Sequence, residues 1–398
     1  MSTVRTVPPM DANALVTGPR TLPAEAGAAR PAVTELRLSA YRRHRGAALP
    51  LGPMTLFTGV SGSGKSSALE AYEALALLGA GHVLETAFPQ AAECVPEGAR
   101  PDRQGRRGFR IGCTVDGPAG PVRLDLAVEA VPRLRVVGER LTSGGRTLLA
   151  TALRDPGRAE VEAAWHTSGA DGVTRGRLPG DRLGTALLPL HVAGRTQAQL
   201  RVLAAAEQVV LALRSVFACD PRPHRMREPV AAGPGRLRRG CDNLAEVLHR
   251  TRSECGKRHA RLAAAARAGC AGPVTDLCVE ELRDGTVRAL LARGGGRPGT
   301  PLGRLGEGEL RYLALALVLL TGPGVLSVDQ VAEVPAAYQS LTVLADGFDR
   351  CLDPAQAREL VGLAAEMCAR GHIRLVGAVS DPSCARGTEG VSVVDLMP

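Results

Sequence analysis

Gly59-Val60-Ser61-Gly62-Ser63-Gly64-Lys65-Ser66-Ser67 decides the fold. The run fits the phosphate-loop pattern G-x-x-x-x-G-K-S. Glycines at this spacing let successive backbone N–H groups turn inward around a phosphate. The lysine reaches the β- and γ-phosphates, and the hydroxyl after it is placed for Mg²⁺. The flanks agree. Met54 to Val60 reads as an apolar strand entering the loop, and Ser66 to Leu78 as a helix leaving it, stopped by Gly79 and Gly81. That helix aims the positive end of its dipole at the phosphates. A Gly/Ser loop matching by chance would lack the strand and the helix. The sequence therefore implies ATP and Mg²⁺ as ligands. Gly59, Ser61, Gly62, Ser63, Gly64, Lys65, Ser66 and Ser67 surround the nucleotide, with Ser66 as a metal ligand.

Composition bounds the rest. The chain has 398 residues, room for one large domain or two ordinary ones. Aromatics are 3 %, so the core is built from Leu, Val and Ala. No apolar run reaches the ~20 residues that cross a bilayer. The opening MSTVRTVPPMDANALVTGPR has no signal-type apolar segment, so a soluble cytoplasmic protein without a membrane is expected. The ten cysteines form no Cys-x-x-Cys pair and read as reduced core thiols. Net charge is +9, carried by arginine; only Lys65 and Lys257 are lysines. A slim ammonium fits a phosphate loop where a guanidinium fits poorly.

Along the chain, residues 1–30 are Ala-, Pro- and Gly-rich without periodicity and read as a disordered tail. VTELRLSAY from Val33 alternates as a strand. Phe109 to Leu153 gives short runs separated by Gly and Pro, an antiparallel meander. The stretch from Gly169 to Gly184 reads as irregular. Helical spacing covers Thr196 to Phe217 and Asn243 to Ala268, and 274–292 reads as a hairpin turning at Asp284-Gly285. The last hundred residues alternate helix and strand.

A second half-site lies at Leu305-Gly306-Glu307-Gly308-Glu309, heading an apolar helix. Such a Gly-rich turn is either an ordinary helix start or an anion cap built from first-turn N–H groups. With these residues stated, the chain resembles RecF- and SMC-like predicted ATPases of bacteria, labelled AAA-family although ABC-type. The resemblance runs through ELRLSAYRRHRGAALPLGPMTLFTGVSGSGKSSALEAYEAL, VVGERL, GCDNLAEVLHR and LGEGELRYLALAL, and covers most of 33–381. It implies an α/β P-loop NTPase of ABC-ATPase head type. The head is discontinuous, 31–100 and 274–398, with an inserted antiparallel β lobe at about 105–165 and a helical lobe at about 190–270. It implies a homodimer in which Gly306 and Gly308 of one chain cap ATP held by Lys65 of the other. It also implies work in DNA maintenance or phage defence.

The resemblance also shows what is missing. A Walker B strand ends in Asp and then a water-activating Glu. Asp346-Gly347 and Asp329-Gln330 are the candidates, and neither supplies the Glu. Asp346 is favoured, as catalytic and Mg²⁺ residue, because Phe348 to Pro354 is similar to the family's D-loop; residues 321–340 are then an insertion. Ser380 stands where a switch histidine would fall, with Asp381 or Asp349 as stand-ins. The expectation is slow hydrolysis driving a dimerisation switch; the alternatives are a scaffold that never turns over, or a degraded paralogue that binds nothing. Tyr41 is a candidate to stack on adenine, against a plain core role. The Arg runs at 42–45, 103–107 and 236–240 allow weak, sequence-independent DNA contact, although solvated loops are the simpler reading.

Overall fold

The computed structural model describes residues 30–168, 172–322, 325–326, 328 and 340–396. The tail at 1–29 and the pair Asp329-Gln330 lie outside the described residues. The largest sheet is antiparallel. Its strands are β1 (Ala32–Tyr41), β2 (His44–Pro50), β4 (Arg107–Asp116), β5 (Val122–Val131), β6 (Arg135–Ser143), β7 (Arg146–Ala152), β8 (Glu160–Ser168) and β9 (Gly172–Pro179). They follow the order β2-β1-β4-β5-β6-β7-β8-β9. The sheet therefore extends past 105–165 at both ends. The Gly-rich stretch expected to be irregular supplies β9, which pairs with β8 from Glu160↔Pro179 to Ser168↔Gly172. Its Gly176 is a packing glycine: a Cβ there would lie 2.7 Å from the Trp165 ring.

The second sheet is parallel: β3 (Met54–Thr58), β10 (Val216–Cys219), β15 (Leu341–Ala345), β16 (Ile373–Ala378) and β17 (Val391–Asp395), ordered β10-β15-β16-β3-β17. Its central strands are buried on both faces, as parallel strands require. Alternate residues feed different cores. Leu56, Val343 and Leu375 enter one; Phe57, Leu344 and Val376 enter the other. The edge strand β10 comes from within the stretch read from sequence as a helical lobe. A small third sheet holds β11 (Val230–Ala231), β12 (Asp276–Glu281), β13 (Thr286–Ala292) and β14 (Thr300–Pro301).

One core lies between the antiparallel sheet and the helices α1 (Lys65–Gly79), α2 (Leu84–Ala87), α3 (Gly184–His191) and α4 (Gln197–Arg214). Thr196 and Gln199 close a capping box at the start of α4, satisfying orphan N–H groups there. The other core gathers α5 (Pro223–Met226), α6 (Leu244–Glu254), α7 (Gly256–Gly269), α8 (Glu307–Leu320) and α9 (Pro354–Ala369). The single helix expected from Asn243 to Ala268 is broken at Cys255 (φ −149°, ψ 86°), beside Gly256, a poor helix former. The hairpin with Asp284-Gly285 at its turn forms between β12 and β13. Among the described residues no helix is long and apolar enough to cross a membrane.

Candidate nucleotide-binding site

The loop after β3 is shaped by three left-handed glycines: Gly59 (φ 138°), Gly62 (φ 79°) and Gly64 (φ 98°). A Cβ on Gly59 would lie 2.7 Å from Ser63 Oγ and 2.8 Å from the Leu396 carbonyl oxygen. A Cβ on Gly64 would overlap the His44 ring. These positions need glycine for both conformation and space. Ser63 N donates to Val60 O at 3.0 Å and closes the turn. Gly64 caps α1, so the first-turn N–H groups of that helix open into the loop. Lys65 Nζ donates to the carbonyls of Gly59 (2.6 Å) and Val60 (3.2 Å), so the ammonium lies across the loop.

A residue that the sequence reading missed supports this loop. His44, on β2, donates from Nε2 to the Gly64 carbonyl at 3.1 Å. Burial lowers its pKa, the Gly64 carbonyl opposes this, and the charge of Arg43 adds to the lowering. In the sequence it sits inside a basic run, where nothing marks it as a loop prop.

Opposite the lysine, Ser66 Oγ donates to Asp346 Oδ2 at 2.9 Å. Asp346 follows β15, and β16 separates that strand from β3. Both residues therefore stand at the carboxyl end of the parallel sheet, where open α/β sheets bind ligands. Nearby Glu70 on α1 has its pKa raised, first by burial; Arg42 opposes this and Asp346 adds to it.

The Gly-rich turn heads α8, in the other core. Gly306 caps the helix and is exposed with Glu307. The Gly306 N–H is taken by Glu309 Oε2 at 3.0 Å, and Glu309 Oε1 accepts from Ala271 N at 2.9 Å. The N–H groups of Glu307 and Gly308 belong to the orphan donors of a first turn. Gly308 packs so closely on the 347–354 turn that a Cβ would overlap the Cys351 carbonyl.

The fold is α/β, a parallel sheet that leads into the glycine loop together with a larger antiparallel sheet. Among solved structures, the chain is similar to an Smc head bound to the C-winged helix domain of ScpA, with TM-score 0.46 and 12 % identity over 89 % of this chain and 91 % of that one. It is similar to the SMC head domain from Thermotoga maritima, with TM-score 0.41 and 12 % identity over 90 % and 92 %. A third is an Smc head with an extended coiled coil bound to the C-terminal domain of ScpA derived from Pyrococcus furiosus, with TM-score 0.45 and 11 % identity over 88 % and 90 %. No family model and no curated protein matches the chain.

Several sequence candidates turn out to be engaged elsewhere. Asp349 accepts from Ser380 N (2.8 Å) and Asp381 N (2.9 Å), tying the 347–354 turn to the end of β16. Asp381 accepts from Ser383 N and Oγ, which lowers its pKa. Both stand-ins for the switch histidine thus hold backbone. Tyr41 is 2 % exposed and packs edge-on against Phe109, with ring centroids 5.6 Å apart, so its ring faces are not open for stacking. The arginine runs are partly paired. Arg42 meets Glu70 at 2.6 Å, Arg106 meets Asp102 at 2.8 Å, and Arg239 meets Glu73.

Two of the stretches that carry the resemblance form buried clasps. In VVGERL, the buried Glu139 accepts from Gly184 N (2.6 Å) and Thr185 N (2.7 Å), capping α3. In CDNLAEVL, the buried Asn243 accepts from Arg238 N and donates to Arg236 O and Glu246 Oε2. Glu246 in turn accepts from Gly235 N at 2.7 Å.

The site fits Mg²⁺-ATP. Ser63 Oγ is buried without a hydrogen-bond partner among the described residues, and the glycines at 59, 62 and 64 keep the loop backbone free of side chains. The Ser66 hydroxyl and Asp346 carboxylate offer the hard oxygen donors that Mg²⁺ takes.

Proposed function

We propose that the chain binds Mg²⁺-ATP in the loop 59–67 and uses it as a dimerisation switch, with slow hydrolysis. The observation that carries this reading is the Ser66–Asp346 contact beside the glycine cradle, an oxygen pair across the sheet from two distant parts of the chain. Gly59, Ser61, Gly62, Ser63 and Gly64 would present N–H groups to the phosphates, and Ser67 would extend that set from the first turn of α1. Lys65 would exchange its two loop carbonyls for phosphate oxygens. Ser66 and Asp346 would hold the metal. Bound Mg²⁺ supplies charge neutralisation on the phosphates. His44 keeps the carbonyl of Gly64 fixed, so the loop does not reorganise on binding.

The half-site at Gly306–Gly308 belongs to a different core from α1, so one chain cannot easily close both on a single nucleotide. A second chain would cap the ATP, with Glu307 and Gly308 N–H groups as donors. Nucleotide then becomes part of the interface, and binding and association are linked. With Gly347 in place of a water-activating Glu, and Asp349 and Asp381 engaged, turnover is slow. A non-hydrolysing scaffold remains the second reading, favoured by those same two carboxylates. DNA contact, with a role in DNA maintenance or phage defence, would run through phosphates and fall steeply with salt.

Equilibrium dialysis with Mg²⁺-ATP, with sedimentation and phosphate release on the same samples, tests the proposal. Binding, ATP-dependent dimers and slow release are expected. Binding with dimers but no release selects the scaffold. No binding ends the nucleotide reading.

A further inference from the structure

The turn after Asp346 is more than a site lacking its glutamate. Gly347 has φ 58°, a conformation in which a side chain is strained. Its carbonyl accepts from Arg350 N at 3.0 Å and from Arg311 Nη2 at 2.9 Å. Arg311 rises from α8, is 3 % exposed, and anchors its other arm on the Pro221 carbonyl at 2.8 Å. Among the described residues its contacts are to carbonyls rather than to a carboxylate, and its Nε is buried without a partner. A buried guanidinium so held is costly, and it fixes the peptide at Gly347 in one orientation.

The space on the side-chain side of Gly347 is filled by another cation. A Cβ built there would lie 2.7 Å from Arg350 Nε and 2.9 Å from Arg350 Nη2. Arg350 is exposed, and among the described residues its guanidinium has no ion pair or hydrogen bond. The two carboxylates of its own turn are engaged, Asp346 by Ser66 and Asp349 by Ser380 and Asp381. A free planar fork of donors thus stands one residue from Asp346, where a carboxylate side chain would otherwise begin. Guanidinium is the side chain best matched to a phosphate oxygen pair.

We infer that Arg350 is a terminal-phosphate ligand of this site, a cation placed where the water-activating acid would stand, so that the site holds ATP tightly and splits it slowly. The inference rests on the proposed nucleotide site. Arg311 is its positioning residue: it locks the Gly347 peptide, and the turn then presents Arg350.

The test compares Mg²⁺-ATP and Mg²⁺-ADP affinity by equilibrium dialysis in wild type, Arg350→Gln, Arg350→Ala and Arg350→Lys. Loss of one charge-assisted contact should weaken ATP about tenfold in the Gln and Ala variants. ADP should change less than about twofold, and Lys should recover part of the loss. ATP and ADP weakening together, or neither changing, overturns the inference and leaves the nucleotide site standing. Wild type binding neither nucleotide overturns both. Arg350 is exposed, so folding is not at issue; thermal melting of each variant checks this.

Discussion

Ser66 and Asp346 meet hydroxyl to carboxylate at 2.9 Å although they stand 280 positions apart in the chain. If this pair holds the metal, Asp346→Ala should weaken ATP binding about tenfold or more with Mg²⁺ present and far less in EDTA. Asp329→Ala, at the rival position, should leave affinity unchanged. Dialysis with and without metal separates the two; a larger effect at Asp329 would move the metal site there.

Lys65→Ala should remove nearly all ATP affinity, on the order of a hundredfold, because the ammonium is the cation nearest the loop carbonyls that the phosphates would displace. Lys65→Arg should fail almost as badly, since the broader fork does not fit a loop this tight. Unchanged nucleotide binding in either variant would refute the loop assignment.

The Gly-rich turn at 305–309 separates fold from interface. Gly306 has φ −63°, and a Cβ there would come no nearer than 3.6 Å to Glu309 Oε2. Gly306→Arg should therefore fold, keep ATP binding and lose the ATP-dependent dimer. Gly308 cannot serve as that probe, because its Cβ would strike the Cys351 carbonyl; Gly308→Ala should lower stability by about 1–3 kcal/mol through overpacking. Glu307 is exposed at the cap and would repel a phosphate, so Glu307→Gln should tighten the dimer. Sedimentation with and without ATP reads the Gly306 and Glu307 variants, and urea unfolding reads Gly308→Ala. A wild type that stays monomeric at saturating ATP would make the turn a relic.

His44 gives a pH signature. Histidine ordinarily titrates near 6.5, and burial holds the native ring below that value, so the unfolded chain takes up the proton first. The stabilisation is complete above about pH 6.5 and is lost as pH falls toward the lowered native pKa. Melting temperature should therefore drop between pH 7 and 5, and His44→Gln, which keeps a donor for Gly64, should flatten that slope. Equal slopes in both proteins would remove His44 as the cause.

Glu139 is buried and holds two backbone N–H groups at the start of α3 and the Thr185 hydroxyl. Glu139→Ala strands those donors and should cost roughly 2–4 kcal/mol, by the penalty for unmade buried hydrogen bonds. Nucleotide affinity of the folded fraction should be unaffected. A neutral result in urea unfolding would contradict the capping role.

What was legible in the sequence is what backbone geometry imposes on residue type. A loop with three left-handed residues favours glycine, and the central parallel strands are mostly apolar, so Gly59–Ser67, β3 and the apolar helix α8 could be read directly. What was not legible depends on distant partners. Tyr41 is fixed by Phe109, which lies 68 positions along the chain (109 − 41), and no local pattern carries that information. The strand β9 hides in a Gly-rich run because its glycine answers to Trp165 across the sheet. His44 and Arg350 look like surface cations until the loop and the turn that they touch are placed. The VVGERL and CDNLAEVL matches drew notice as signs of kinship, and each marks a buried polar clasp.

The alternation of Leu56 with Phe57, Val343 with Leu344 and Leu375 with Val376 sends neighbouring side chains into two separately packed bodies. The phosphate loop is braced by one body and α8 by the other, and both pack on the same parallel sheet. Sequence drift can therefore rework one half without loosening the other.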